Sequence, residues 1–135
     1  MSTLIKPFTL KALQKTEQFD PVRPFLRWIG GKQKLVGALI EHLPPADSFS
    51  RYFELFLGAG SLFLAKGFEN ATLNDLNAHL INTYRQVKGN PEFLHARLVQ
   101  HAETLEKLGE PYYYQVRRKY NEERQSVDLQ QAARF

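Results

Sequence analysis

The chain has no cysteine, which excludes disulfides and thiolate-held metal and fits a cytoplasmic protein. Residues 1–24 hold no apolar run of signal-peptide length, and no later segment reaches the ~20 apolar residues of a membrane span. A soluble, intracellular protein without a membrane partner is expected. Histidine is sparse as well, at His42, His79, His95 and His101. His95 and His101 stand six apart on one predicted helix, so they face different ways, and solvated helix histidines are expected rather than a metal site. Acidic residues are slightly outnumbered, 14 against 18 lysines and arginines, for a net charge of +4. That balance favours polyanion partners but falls short of a dedicated nucleic-acid module.

What is present suits one domain: 135 residues, 43% hydrophobic and 13% aromatic, can bury a core of ordinary size. No repeat or low-complexity stretch interrupts them. The leader, 1–24, is mixed and broken by Pro21 and Pro24, and reads as an irregular arm. Leu35, Val36, Leu39, Ile40 and Leu43 form one apolar helix face, stopped by Pro44 and Pro45. RYFELFLGAG then reads as a strand buried on both faces of a parallel sheet, SLFLAKGF as a short helix ending near Gly67, and ATLND as a second strand. Three helices follow: one with Leu80, Ile81, Tyr84 and Val87 on a face, one with Phe93, Leu94, Leu98, Leu105 and Leu108 inward, and one over EPYYYQVRRKYNEER. SVDLQQAARF begins a last helix, expected to be capped by Ser126. Two strands joined by a helix make half of an open α/β sheet. The organisation reads as unfinished.

RWIGGKQKL, residues 27–35, contains the Gly-Gly-Lys of a phosphate loop. The pattern G-x-x-x-x-G-K-[ST] fails, however: Leu26 occupies the first glycine position and Gln33 the hydroxyl position, and no buried strand precedes it. There remain a tryptophan, a flexible glycine pair and a lysine at a helix start. Helix amides and Lys32 favour an anion such as a carboxylate, and Trp28 offers a face to a cation or planar ring. The plainer alternative is a Gly-Gly turn with a core tryptophan and a solvated lysine.

ELFLGAGSLF lies where strand meets helix, so Gly58 and Gly60 would clear space at the carboxyl end of the strand, where open α/β sheets bind ligands. Residue 63 is Phe, so G-x-G-x-x-G is incomplete and a phosphate-free ligand fits better than a pyrophosphate. Asp75 ends the second strand, where an acid accepts hydrogen bonds from ribose hydroxyls. Against this, the glycines make an ordinary turn, and Asp75 or Asn77 starts the next helix as its cap. Together, glycine loop and ribose acid indicate a nucleoside, Lys32 a carboxylate, and Trp28 with Phe56 a cation. S-adenosylmethionine carries all three and no phosphate.

FLRWIGGKQKL, FELFLGAGSLFLAKGF and TLNDLNAHLINTYRQVK, in this order, resemble the amino-terminal half of Dam-type (D12 class) adenine-specific DNA methyltransferases. The likeness runs from about Phe25 to Lys88 and continues more weakly through EPYYYQVRRKYNEE. It implies an α/β fold, the amino-terminal half of a Rossmann-like S-adenosylmethionine-dependent methyltransferase sheet followed by helices. The implied division is a leader over 1–24, a cofactor-binding half over 25–108 and the start of a helical target-recognition region over 109–135. It further implies that Trp28, Lys32 and Asp75 contact S-adenosylmethionine, that Phe56, Gly58 and Gly60 line the same pocket with Glu54 in support, and that Arg27 lies near DNA. Leu55 stands where many relatives have proline, and Asn74 where a small residue precedes the acid.

The family transfers methyl groups with a D-P-P-Y type motif that holds the flipped adenine. Leu43-Pro44-Pro45-Ala46 and Glu110-Pro111-Tyr112-Tyr113 do not supply it, so no catalytic residue is assigned. Activity of these 135 residues alone is therefore doubtful. The expected function is site-specific DNA adenine methylation, with double-stranded DNA as partner of the full-length enzyme and a restriction-modification setting. The alternatives are a non-catalytic cofactor- or DNA-binding remnant that self-associates, or one half of a split enzyme with a complementing catalytic half. Tyr112, Tyr113 and Tyr114 with Arg117, Arg118 and Lys119 mix aromatics with bases as nucleic-acid surfaces do; equally, Tyr113, Val116 and Tyr120 make a core stripe beside a solvated basic face.

Overall fold

A computed structural model describes residues 22–135; of the expected arm, 1–21 lie outside the described residues. A 3-10 turn over Lys32–Leu35 leads into helix α1, Val36–Glu41. The helix stops short of Pro44 and Pro45, which lack the N–H needed to continue it. Val36 is buried, and Leu39, Ile40 and Leu43 are half-buried, whereas Leu35 faces out.

Strands β1 (Tyr52–Glu54) and β2 (Ala71–Leu73) pair in parallel, Phe53 opposite Thr72, with helix α2 (Ser61–Lys66) between them in sequence. The pairing continues past both strands. Asn74 N–H donates to the Glu54 carbonyl (2.8 Å), and Leu57 N–H to the Asn74 carbonyl (2.9 Å). These bonds carry β1 into the glycine loop, where Leu57 is 1% exposed and anchors the small core.

Helices α3 (Ala78–Gly89), α4 (Pro91–Leu108), α5 (Glu110–Glu122) and α6 (Leu129–Arg134) form the second part of the chain. Asn77 caps α3, its side-chain oxygen accepting from His79 and Leu80 N–H. Pro91 occupies the first turn of α4, where its missing N–H costs nothing. Helix α6 packs against α3, α4 and α5. Its Gln131 is fully buried and donates to the carbonyls of Tyr120 and Glu123, satisfying the end of α5.

Three expectations change. Asp128, not Ser126, caps α6, because its carboxylate reaches Gln131 N–H at 2.9 Å. The strand expected to be buried on both faces exposes Phe53 and Leu55, since a two-stranded sheet leaves one side uncovered. Of the α4 residues expected inward only Leu94 is buried; Phe93, Leu98, Leu105 and Leu108 are exposed, and so is Tyr113 of α5. Among the described residues, no helix is long and apolar enough to cross a membrane.

Candidate functional site

The glycine loop after β1 organises the residues singled out by sequence. Gly58 and Gly60 both adopt left-handed backbone, at φ +53° and +66°, which a side chain disfavours. Gly60 N–H closes the turn on the Leu57 carbonyl at 2.9 Å. The room that glycine leaves is occupied by the protein's own aromatics. A Cβ on Gly58 would stand 3.2 Å from Trp28 Cδ1, and one on Gly60 would overlap the Tyr84 hydroxyl. That hydroxyl donates to the buried Ala59 carbonyl at 2.8 Å, so α3 holds the loop from one side. Burial, and then the Glu54 charge, push the Tyr84 phenol up to about 12.

Asp75 joins the loop to α3. One carboxylate oxygen accepts from Gly58 N–H at 2.9 Å and the other from Asn77 N–H at 3.0 Å. The helix cap itself is Asn77, so Asp75 is not spent on capping. Asn74 adds a side-chain bond to the Leu55 carbonyl at 3.2 Å, beside its two backbone bonds.

Lys32 donates to the Phe56 carbonyl at 2.8 Å and lies 4.0 Å from Glu54 Oε1. Glu54 is buried. Its Oε2 accepts from Tyr52 Oη at 2.9 Å, whereas Oε1 has no hydrogen-bond partner. Burial raises the Glu54 carboxyl above the usual range, offset in part by the Tyr52 hydrogen bond and the Lys32 charge. Burial and the adjacent carboxylate in turn push the Tyr52 phenol up. Phe56 meets this network through its carbonyl, its side chain facing solvent with the residue 78% exposed.

A hollow of about 780 Å³ opens beside the loop, with Arg27, Trp28, Gly31, Lys34, Ala59 and Ser61 on its wall. That volume falls in the range of sites for drug-sized molecules. The structure thus brings Trp28, Gly58 and Asp75 into one cluster and Lys32, Glu54 and Phe56 into an adjoining one; of the residues expected to touch the cofactor only Trp28 lines the hollow, with Arg27 beside it on the wall. On its other side Trp28 meets the Phe135 ring at 5.8 Å between centroids, and Phe135 in turn meets Tyr120 at 6.0 Å. Sequence reasoning gives Tyr84, Tyr52 and Asn74 no role at this site. Periodicity reads Tyr84 as an apolar-face residue and carries no signal for its hydroxyl; the position of Asn74 at the strand end was the available clue.

The model of the D12 class N6 adenine-specific DNA methyltransferase family matches residues 28–135. A type II methyltransferase of Lactococcus lactis subsp. cremoris is 44% identical over 80 residues, covering 59% of this chain and 28% of that protein. A DNA adenine methylase of Vibrio cholerae is 46% identical over 70 residues, 52% of this chain and 24% of its own length. One of Escherichia coli is 37% identical over 102 residues, 73% and 34% respectively. The chain spans about a quarter to a third of the length of these curated relatives.

Proposed function

Because the chain belongs to the D12 class of N6 adenine-specific DNA methyltransferases, we propose that it is the donor-binding part of an enzyme that methylates adenine in DNA. The sheet is read as the amino-terminal half of a Rossmann-like methyltransferase sheet, with 25–108 as the cofactor half and 109–135 as the start of target recognition. The observation that carries the reading is the Asp75 bridge to the Gly58 amide, with Trp28 packed on the same glycine. It holds an acid, a glycine turn and an aromatic wall together at the end of β1.

The donor set fits S-adenosylmethionine. Lys32 has donors left after its bond to Phe56 and is partly exposed, so it can meet a carboxylate. Glu54 Oε1 is a buried acceptor that Lys32 faces at 4.0 Å and that accepts no hydrogen bond, so it has room for a further donor. Trp28 offers its ring on the wall of the hollow. When bound, the cofactor supplies an electrophilic methyl on a sulfonium sulfur. The chain's own residues bind and orient it: Asp75 toward ribose hydroxyls, Lys32 toward the carboxylate, Trp28 along the planar and cationic parts. Arg27, on the wall of the hollow, is the residue of this set assigned to DNA.

The 135 residues contain no D-P-P-Y motif, so the acceptor adenine has no holder here. The test uses the purified chain. S-adenosylmethionine is expected to change the fluorescence of Trp28, the single tryptophan, while no labelled methyl enters adenine. Methyl incorporation by the chain alone would overturn the division of labour, and unchanged fluorescence at saturating donor would overturn the site.

A second reading, association with a complementing half or with another copy, is favoured by large apolar side chains left exposed among the described residues. Ile29 is 99% and Leu76 100% exposed, and Phe53 and Leu55 add to them. Such surface marks an interaction site, and open strand edges pair readily. Sedimentation velocity is expected to show concentration-dependent association; a monomer at every concentration contradicts it.

A further inference from the structure

Helices α4, α5 and α6 enclose a second hollow, of about 260 Å³, remote in sequence from the glycine loop. Its charged walls are all basic: Arg97 from α4, Lys119 from α5 and Arg134 from α6. Arg134 is largely buried and neutralised by Glu123, which holds it in place. Arg97 is held differently. Its Nη1 donates to the Gln100 amide oxygen at 2.9 Å. With the Gln130 amide turned over so that its oxygen rather than its nitrogen meets Arg97, that oxygen would accept from Nη2 at 3.0 Å and from Nε at 3.1 Å.

Neutral amides therefore fix this guanidinium without cancelling its charge. Among the described residues the only salt bridges are Lys32 with Glu54 and Arg134 with Glu123, so neither Arg97 nor Lys119 has a carboxylate at ion-pair distance. His101 adds no further positive charge: its ring nitrogen bonds the Tyr112 hydroxyl at 2.7 Å, and burial with the Arg134 and Arg97 charges holds its pKa down.

A pre-set guanidinium and an ammonium on the wall of one small hollow make a seat for a tetrahedral anion. At 260 Å³ the hollow lies below the ~300–1,000 Å³ of pockets that enclose a whole drug-sized ligand. It suits one group of a larger partner. We propose that the Arg97–Lys119 hollow binds a backbone phosphodiester of duplex DNA. This rests on the reading that the enzyme acts on DNA, and it concerns a surface separate from the donor site. Such a contact positions the duplex and carries no sequence information.

The test is fluorescence anisotropy of the 135-residue chain with a labelled duplex over a range of salt concentrations. One phosphate contact contributes about 0.9 to the slope of log affinity against log salt. The R97Q/K119Q variant, both side chains being exposed, is expected to lose roughly one unit of slope on every duplex sequence. Lys119→Gln alone is expected to lose part of it. R117Q/R118Q, on α5 outside the hollow, serves as the control and is expected to change the slope less. An unchanged slope in R97Q/K119Q, an equal loss in the control, or no duplex binding by the parent chain would each overturn the proposal. Inorganic phosphate, followed through the Arg97 side-chain N–H resonance, separates the sources: a response to phosphate with none to duplex assigns the hollow to a small free anion and overturns the DNA assignment. Trp28 fluorescence with S-adenosylmethionine is read on the same variants. Retained donor response with an unchanged salt slope sinks this proposal alone, whereas loss of donor response in the parent sinks the functional reading.

Discussion

Replacing Gly60 by alanine tests whether the loop is shaped by its neighbours in the way the geometry indicates. Two costs add. Gly60 sits at φ +66°, where an L side chain costs roughly 1–2 kcal/mol. The new methyl would also overlap the Tyr84 hydroxyl and crowd Tyr84 Cζ at 3.1 Å, and overpacking of this kind costs about 1–3 kcal/mol. The sum, about 2–5 kcal/mol, is a large part of the ~5–15 kcal/mol that stabilises a typical domain. Tyr84→Phe removes the hydroxyl and leaves the buried Ala59 carbonyl without its 2.8 Å partner, at about 1–3 kcal/mol. Placed together, the substitutions relieve one another, since the atom that the alanine strikes is gone. The double variant is expected to cost less than the sum of the singles by roughly 1 kcal/mol, within the range seen for residues in contact. Urea unfolding followed by Trp28 fluorescence measures all four corners of the cycle. Additivity within about 0.3–0.5 kcal/mol would refute the claim that Tyr84 and Gly60 share this space.

Asp75→Ala frees the amides of Gly58 and Asn77; a loss of about 1.5–3 kcal/mol is expected from bonds to a charged acceptor, together with loss of donor binding, read by urea unfolding and dialysis. Glu54 tests the buried carboxylate through pH. Its folded pKa is raised, so the native state holds the proton longer than the unfolded chain, and stability falls as pH rises from the unfolded value near ~4.3 through the folded one. Glu54→Gln removes that fall: the variant is expected to gain on the parent across this window and hold the gain at neutral pH, and a constant difference from mild acid to neutral contradicts the assignment.

Much of the local order was legible because it depends on residues close in sequence. Gly67 marks the end of α2, and the β1–α2–β2 order follows from an apolar run, a glycine turn and a second short run. Asn77 as a helix cap was one of two candidates, and its oxygen settles the choice by reaching two amides. What depends on distant neighbours was not legible. Phe93, Leu98, Leu105 and Leu108 carry helical spacing, yet α3, α5 and α6 pack so that only Leu94 is covered. At the candidate site, the strand-end position located Asp75, but no spacing rule says that its carboxylate bonds Gly58 across 17 residues. Nor does any rule say that Trp28 and Tyr84 fill the gaps at the two glycines.

The central claim is that this chain carries a site for the methyl donor built on Asp75, Lys32 and the Gly58 loop. Equilibrium dialysis of labelled S-adenosylmethionine against the purified chain, beside Lys32→Met and Asp75→Asn, tests it most directly. The account predicts saturable binding at one site per chain, weakened at least tenfold in either variant while the circular dichroism of Lys32→Met matches the parent. No saturable binding by the folded chain, or binding that both substitutions leave unchanged, would contradict it.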